Sequence, residues 1–359
     1  MRLAGTRTPS RAATRHVTRF VPALLLVVLT LGASTPAAAQ GRTDVVTLAN
    51  GDRITGEIVN LERGRLELKT DDAGTLYLEW DKLVSLVAAR YVEVVTNLGI
   101  RYLGTLGPSS PRSISIVAGN TPVPLTMSEV TLIRPLGRSF WSRLDGSFDA
   151  GFSYTQSSGI AQLNVNSETI FQRPASRARL FASLTLTQQD DDASRDDRGT
   201  VELSYLKYPW QEWFVIGLGR FESNESLGLE LRSQAGIAVG PRLVNSNRGQ
   251  VAAGAGIVFN DERGVDVERT QNIEALLILR ASYYTYDRPK TNLDLATQYF
   301  PSLSDPGRHR LQLDASMKRE LWKDFFLSLS VYNTYDSRPP NPLASTNDIG
   351  VVMSIGWSY

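Results

Sequence analysis

Residues 348–359 alternate between apolar positions and positions that, apart from Val352, are small or polar. A period of two is typical of a β-strand with one apolar face and one polar face. Similar alternation recurs from residue 143 onward, in segments separated by turn-forming residues. Such a series is the sequence signature of transmembrane β-strands. We predict twelve strands, with the bounds 143–156, 159–172, 178–190, 199–208, 212–224, 228–242, 248–260, 270–287, 290–301, 308–320, 324–336 and 346–359.

Charged residues in these segments fall on the polar positions. Eleven of them are predicted to line an interior: Asp145, Asp149, Glu168, Glu202, Arg232, Glu274, Arg280, Asp294, Arg310, Asp314 and Lys318. An arginine or lysine that faces lipid near the bilayer midplane costs about 2–4 kcal/mol. We therefore expect an all-β fold, a twelve-stranded antiparallel transmembrane β-barrel with its apolar face toward lipid and its charged face toward the lumen. The alternative is a soluble sandwich of two sheets, in which the apolar face points inward.

Connection lengths and tryptophan positions favour the barrel. Most connections after even-numbered strands are short, as in P-W-Q and L-W-K, and those after odd-numbered strands are longer, as in D-D-A-S-R-D-D-R. Outer-membrane barrels have short periplasmic turns and longer external loops. Tryptophan is enriched at membrane interfaces. We predict a periplasmic aromatic girdle formed by Trp141, Trp210, Trp213 and Trp322.

The last strand has a second predicted role. A closed barrel pairs its last strand with its first, because unpaired backbone groups are costly in lipid. An insertion machinery can capture a strand by the same kind of edge pairing. We predict an assembly signal in the apolar positions of this strand, which are Val351, Met353, Ile355, Trp357 and Tyr359.

An internal repeat precedes the barrel. Residues 45–87 and 93–135 match at an offset of 48, so that Val46 corresponds to Val94 and Gly51 to Gly99. Each copy contains several short alternating strands, and Asn50-Gly51 is a hairpin signal. We predict two five-stranded half-barrels of the Sm or SH3 kind, packed together in a periplasmic domain at residues 40–137 because neither copy buries much surface alone. This domain is either a binding module or a folded spacer.

Residues 1–39 have the features of a secretory signal peptide: a basic start, a short apolar run and a small-residue cleavage site. The alternative is a membrane anchor, but the apolar run at 21–31 is short against the roughly 20 residues that a spanning helix needs. Cleavage removes five arginines and no acidic residue, so the net charge falls from +1 to −4. That charge gives no attraction to nucleic acid. The chain has no cysteine and therefore no disulfide or thiol metal site.

Candidate chemistry is sparse. His309 is the only histidine beyond the signal peptide, and the chain has no G-x-S-x-G motif. A serine hydrolase needs a base beside its nucleophile, so His309 is the one candidate base, and a solvated histidine at a loop edge is the alternative. We expect no catalytic residues, no metal and no cofactor. The acidic run at 190–197 lacks the glycine and the spacing of a calcium loop. We therefore expect a solvated external loop, with a divalent-cation contact to lipopolysaccharide as the alternative.

Several stretches resemble a known family. They are L-A-N-G-D-R-I-T-G-E-I at 48–58, T-L-Y-L-E-W at 75–80, W-F-V-I-G-L-G-R-F-E-S-N at 213–224, L-R-S-Q-A-G-I-A-V-G-P-R-L-V at 231–244 and the final I-G-W-S-Y. With them the chain resembles the salt-induced outer-membrane proteins grouped as domain of unknown function 481. The resemblance implies an outer-membrane location, and it supplies no mechanism and no functional residues.

The expected function is therefore broad. We expect envelope maintenance or passive transport of small polar solutes through a narrow lumen. The first alternative is a plugged barrel that acts as a scaffold with a partner-binding periplasmic domain, and the second is a lipid hydrolase. The expected partners are outer-membrane lipid and lipopolysaccharide, the barrel assembly machinery and a periplasmic partner.

Overall fold

The computed structural model describes residues 43–119, 121–137, 140–155, 160–189, 197–224, 229–264, 269–323, 325–339 and 346–357. The predicted signal peptide, most of the acidic run and Tyr359 lie outside the described residues. Strands and three short 3-10 helices make up the regular structure of the described ranges. No helix within them is long and apolar enough to span a membrane.

Nine strands form the N-terminal region, which we call the small domain. They are β1 (Asp44–Leu48), β2 (Arg53–Glu62), β3 (Arg65–Lys69), β4 (Thr75–Glu79), β5 (Leu83–Thr96), β6 (Arg101–Gly107), β7 (Ser113–Ala118), β8 (Thr121–Thr126) and β9 (Val130–Pro135). Their order is β4-β3-β2-β1-β5-β6-β7-β8, and β9 pairs with both β2 and β5.

The two repeat copies share a strand. In each copy the first strand lies between the second and the fifth: β1 pairs with β2 and β5, and β5 pairs with β6 and β9. The sequence predicts separate copies, but β5 ends the first and begins the second. Residues 83–96 contain no glycine or proline that would break the strand, and the junction is absorbed by an irregular register between Ala88 and Val92.

One hydrophobic core serves both copies. It includes Ile58, Leu66 and Leu68 from the first copy and Ile114 and Ile116 from the second, all with no solvent exposure. Burial of each such side chain contributes roughly 1.5–3 kcal/mol. The copies also join directly, because Leu61 of β2 pairs with Ile133 of β9.

Twelve strands form the second sheet, in agreement with the predicted number. They are β10 (Leu144–Thr155), β11 (Ile160–Arg173), β12 (Ser176–Gln189), β13 (Arg198–Lys207), β14 (Trp213–Asn224), β15 (Leu229–Asn245), β16 (Gly249–Gly264), β17 (Thr270–Thr285), β18 (Thr291–Pro301), β19 (His309–Trp322), β20 (Phe325–Asp336) and β21 (Asn347–Trp357). Each strand pairs antiparallel with the next one in the chain. We call the end of the sheet that carries the turns at 174–175, 208–212, 246–248 and 286–290 the proximal end, and the opposite end the distal end.

The two edges of this sheet are not joined. A closed barrel requires β21 to pair with β10, but among the described residues these strands are the two ends of the sheet order. Most of their side chains are exposed on both faces. The predicted closure is therefore absent from the hydrogen-bonding pattern, and each edge keeps free backbone groups.

The strand registers assign every predicted interior residue to one face. Across neighbouring strands, directly paired residues share a face, and the pairs link all eleven predicted residues from Asp145 to Lys318. We call this face the charged face and the opposite one the apolar face.

The two faces of the twelve-stranded sheet differ in the solvent exposure of their side chains. The apolar face exposes large side chains such as Phe152, which is 72% exposed, Ile237 and Ile257. The charged face instead holds fully buried residues, including Glu274 and Asn260. A soluble sandwich would bury its apolar face. This sheet instead exposes its apolar face and buries part of its charged face.

Candidate functional site

The distal end of the charged face contains a buried ionic cluster. Arg308 Nη2 lies 2.8 Å from Asp336 Oδ2 and 3.3 Å from Glu262 Oε2, and Arg308 is only 6% exposed. Arg232 Nε donates to Glu262 Oε1 at 2.9 Å. One arginine from the β18–β19 connection therefore joins β16 to β20 across the face, and Glu262 is held by two arginines.

A second group extends this cluster. Arg310 donates through Nε and Nη2 to the two carboxylate oxygens of Glu274, at 2.9 and 2.5 Å. Asn260 Nδ2 also donates to Glu274, and Gln234 donates to Asn260. Buried charges are tolerated when they are paired and hydrogen-bonded. The distal cluster therefore fills this part of the face with satisfied polar groups.

The middle of the charged face is paired in one region and open in another. Arg179 of β12 bridges Glu168 of β11 and Glu202 of β13, at 2.5 and 3.2 Å. On the other side a cavity of about 490 Å³ lies over β17–β20, with Arg280 and Asp314 in its lining.

The remaining predicted interior residues lie apart from these groups. Asp145 and Asp149 lie on the edge strand β10, and Asp149 is exposed. Lys318 lies 5.0 Å from the centre of the Phe326 ring. The structure therefore gathers some of the predicted residues into clusters and leaves others on an open surface.

The proximal end of the charged face receives a hairpin of the small domain. Arg63 and Gly64 connect β2 to β3 with φ of 54° and 71°, as a two-residue hairpin of type I′ requires. Arg63 donates to both oxygens of Asp294 at 2.9 and 3.2 Å and to Asn292 Oδ1 at 2.6 Å. The hairpin tip thus reaches the charged face of β18.

Amide and carboxylate groups extend the contact between the small domain and the proximal turns. Asn247 Nδ2 donates to the Val130 carbonyl at 2.8 Å, and Asn245 Nδ2 donates to the Thr96 carbonyl at 3.2 Å. The buried carboxylate of Glu93 accepts from the backbone N–H of Ala175 at 3.0 Å. These bonds hold β5 and β9 against two turns of the twelve-stranded sheet.

Aromatic side chains add to this contact. The Tyr286 hydroxyl donates to the Arg63 carbonyl at 2.8 Å, and the Arg65 guanidinium lies 3.9 Å from the centre of the Tyr286 ring. Burial raises the pKa of Tyr286, and the Arg65 guanidinium opposes that rise. A cavity of about 520 Å³ lies beside it, between Trp80 and Met127 of the small domain and the turns at 246–248 and 286–287.

The tryptophans predicted to form a girdle lie at or next to the ends of strands in the twelve-stranded sheet. Trp141 begins the short 3-10 helix before β10 and Trp210 precedes β14, while Trp213, Trp322 and Trp357 fall at strand ends. All five are exposed and lie at the proximal end. In β21, Val351, Met353, Ile355 and Trp357 are exposed on the apolar face. The girdle and the assembly signal remain predictions.

His309 is on the apolar face, away from the charged groups. Its ring centre is 6.2 Å from that of Tyr299 and 5.6 Å from that of Tyr335. Its Nδ1 lies 3.3 Å from the Gly307 carbonyl oxygen. Over the ranges that the structure describes, no group of three or more His, Asp or Glu residues is arranged to hold a metal ion.

Three important residues were not among the predicted site residues. Glu262 falls between two predicted strands, Arg308 is the first residue of the predicted strand 308–320 but is not among the predicted interior residues, and Arg63 lies in the small domain. One signal was present for Glu262, because the alternation of β16 continues through Val258 and Asn260 to Glu262. Arg63-Gly64 had no comparable signal, since its partner Asp294 is more than two hundred residues away.

Comparison with known proteins identifies the family. A model of the family described as "Protein of unknown function, DUF481" matches residues 147–359. Neither the curated proteins nor the solved structures give a match. The family match covers more than half of the chain and nearly all of the twelve-stranded sheet, so the chain belongs to the DUF481 family.

Proposed function

We propose that the protein is an outer-membrane β-barrel with its small domain in the periplasm. The observation that carries this proposal is the distribution of burial, with large apolar side chains exposed on one face and charged side chains buried on the other. Exposed apolar surface of this extent marks a protein or membrane contact. Lipid would cover this exposed apolar surface around the whole sheet.

Within this proposal, β10 and β21 pair in the membrane and close the barrel, because their free edges are costly in lipid. The aromatic proximal ends, including Trp141 and Trp357, lie at the periplasmic interface. The barrel assembly machinery acts on β21, and lipopolysaccharide contacts the distal loops.

The proposed role is passive transport of small polar solutes through a barrel that is constricted at both ends. The distal cluster around Glu262 and Glu274 narrows one end, and the Arg63 hairpin narrows the other. A barrel of twelve strands lies between filled eight-stranded and open sixteen-stranded examples. Transport therefore depends on displacement of the small domain from the proximal opening.

Two measurements on the mature full-length protein test this function. A barrel needs detergent to stay monodisperse, and it migrates differently on a gel before and after heating. Reconstitution into a planar bilayer then measures conductance, and discrete steps are expected. A protein that stays monodisperse in buffer without detergent would contradict the membrane proposal. A folded, inserted protein that gives no steps, either as wild type or with its small domain displaced, would contradict the transport role.

A scaffold is the second candidate function. The complete pairing of Glu262, Glu274, Arg308 and Arg310 favours it, because such a cluster closes the distal end. In this case the small domain binds a periplasmic partner. An inserted protein that conducts neither as wild type nor with its small domain displaced would favour the scaffold.

We propose no catalytic role. The support is the position of His309 between two tyrosine rings on the apolar face, where its ring nitrogen meets a backbone carbonyl. The His309→Ala variant is expected to keep whatever lipase activity the preparation shows. Loss of such activity in this variant would contradict the proposal.

A further inference from the structure

The cavity over β17–β20 contains two opposite charges that are not used elsewhere. Arg280 and Asp314 both line it, and the registers place them at the same level, on either side of Ala296. Both residues are exposed to solvent. No ion pair or side-chain hydrogen bond joins either of them to another of the described residues.

Acidic residues on both sides of this pair have arginine partners. Glu274 is held by Arg310 toward the distal end, and Asp294 is held by Arg63 toward the proximal end. Because Asp294 already has a guanidinium partner, Asp314 is the free carboxylate of the cavity. Arg280 correspondingly has no described carboxylate within ion-pair distance.

The cavity also has room and further polar groups. Its volume of about 490 Å³ is within the range of small-molecule sites. Small side chains, including Ser282, Ser316 and Ser330, form much of its lining. The strands of Arg280 and Asp314 are two positions apart, which places their backbones roughly 9–10 Å from each other. This separation is comparable to the length of a short ligand with one charge at each end and of the two side chains that would contact it.

We propose that this cavity binds a small zwitterion, whose carboxylate contacts Arg280 and whose ammonium group contacts Asp314. A guanidinium recognises a carboxylate through paired hydrogen bonds, and a free carboxylate recognises an ammonium group. Recognition requires both charges, so a ligand with only one of them binds more weakly. The inference rests on the proposed function, because it treats the charged face as an enclosed, water-filled interior.

Calorimetric titration of the mature full-length protein in detergent tests this site. The probes are glycine, β-alanine and γ-aminobutyrate, which differ in the distance between their charges, with acetate and methylammonium as single-charge probes. At least one zwitterion is expected to bind saturably, and more tightly than either single-charge probe. The Arg280→Gln and Asp314→Asn variants are each expected to weaken it by about tenfold or more.

Matched variants separate this effect from general damage. Lys318→Gln and Asp149→Asn remove charges from the same face outside the cavity and are expected to leave affinity unchanged. A double variant with Arg280→Asp and Asp314→Arg is expected to bind again, because a zwitterion can reverse its orientation. Since neither wild-type side chain has a described partner, these substitutions break no ion pair, and unchanged heat-dependent gel migration verifies folding.

Two results would overturn the inference. One is the absence of saturable binding by all three zwitterions to a folded wild-type protein. The other is undiminished binding in Arg280→Gln and Asp314→Asn. Neither result concerns membrane insertion, which is tested separately by the requirement for detergent. The binding-site proposal and the barrel proposal can therefore fail independently.

Discussion

At the scale of single residues, the charged face shows how acidic and basic groups are kept in a poorly solvated place. Glu274 and Arg310 are almost fully buried, and each meets the other through two hydrogen bonds. Pairs of this kind contribute little net stability when intact, because desolvation offsets attraction. Removing only one member of the pair is costly, because the remaining buried charge keeps its desolvation penalty without a counter-charge.

This asymmetry predicts the effect of Glu274→Gln. The variant leaves the Arg310 guanidinium buried without a counter-charge, and we expect the free energy of unfolding to fall by about 3–5 kcal/mol. Urea unfolding in detergent measures it. Asp305→Asn is the control, because its pair with Arg338 is exposed and is expected to contribute at most about 1 kcal/mol. Equal losses in the two variants would contradict this account of the distal cluster.

The two repeat copies supply a second matched comparison. Gly51 and Gly99 occupy equivalent positions and both have positive φ, so alanine at either costs roughly 1–2 kcal/mol of backbone strain. They differ in surroundings. A side chain at Gly51 meets open space, whereas one at Gly99 would collide with the backbone carbonyl of Gln211 in the β13–β14 turn.

We therefore expect Gly99→Ala to weaken the contact between the small domain and the sheet, and Gly51→Ala to leave it intact. Hydrogen–deuterium exchange at Ala175 measures this, because its N–H donates to the buried Glu93 carboxylate. Exchange is expected to accelerate in Gly99→Ala only. The same acceleration in both variants would assign the effect to strain within the small domain instead.

At the scale of elements, alternation predicted all twelve strands of the large sheet, with most bounds within a few residues. The largest differences between predicted and observed bounds occur where a strand extends further than predicted at the distal or the proximal end of the sheet. The predicted end of β16 is residue 260, and the strand continues to Gly264. Residues 261–264 are mostly charged and therefore have the composition of a loop. Glu262 remains in the strand because Arg232 and Arg308 neutralise it, and sequence periodicity carries no information about such partners.

The free edges give a prediction about β10 and β21. If the barrel closes with its proximal ends aligned, Leu144 pairs with Trp357, and this register places Phe148 beside Met353 on the apolar face. It also places Ser147 beside Ser354 on the charged face. The chain has no cysteine, so a Ser147→Cys, Ser354→Cys variant reports on this pair alone.

We expect this double variant to form an intramolecular disulfide in outer-membrane preparations, visible as a shift on a non-reducing gel. A disulfide requires Cα atoms within about 7 Å. The control is Ser147→Cys with Asp348→Cys, which lies six residues away along β21 and should not cross-link. Cross-linking of neither pair in inserted protein would mean that the edges stay apart or close in another register.

At the scale of the whole molecule, the docking of the small domain on the proximal end was not predictable. Its contacts use backbone carbonyls and asparagine amides, as in Asn247 with Val130, and these groups occur throughout any chain. The resemblance and the alternation predicted two regions but not their contact. The charged candidates on the sheet were predicted from sequence, whereas Arg63, which meets Asp294 from the small domain, was not.

The Arg63 hairpin predicts how conductance responds to charge reversal. Arg63→Glu places two carboxylates together at Asp294 and removes three hydrogen bonds, so the hairpin should leave the charged face. We expect larger or more frequent conductance steps than in wild type, measured in planar bilayers.

Lys82→Gln is the matched control for this variant. The Lys82 contact with Asp287 is long, at 3.5 Å, and exposed, so its loss should leave conductance as in wild type. If Arg63→Glu is inserted and folded but conducts like wild type, the hairpin does not limit passage through the barrel.

The shared strand β5 has a consequence for how such chains can vary in length. A strand that closes one copy also opens the next, so no linker separates them. Inserting or deleting one full 48-residue unit would keep the arrangement in which the first strand of a copy lies between its second and fifth strands. Inserting or deleting part of a unit would leave one of these strands without its partner. Natural variation in the length of this region is therefore expected to occur in whole 48-residue units.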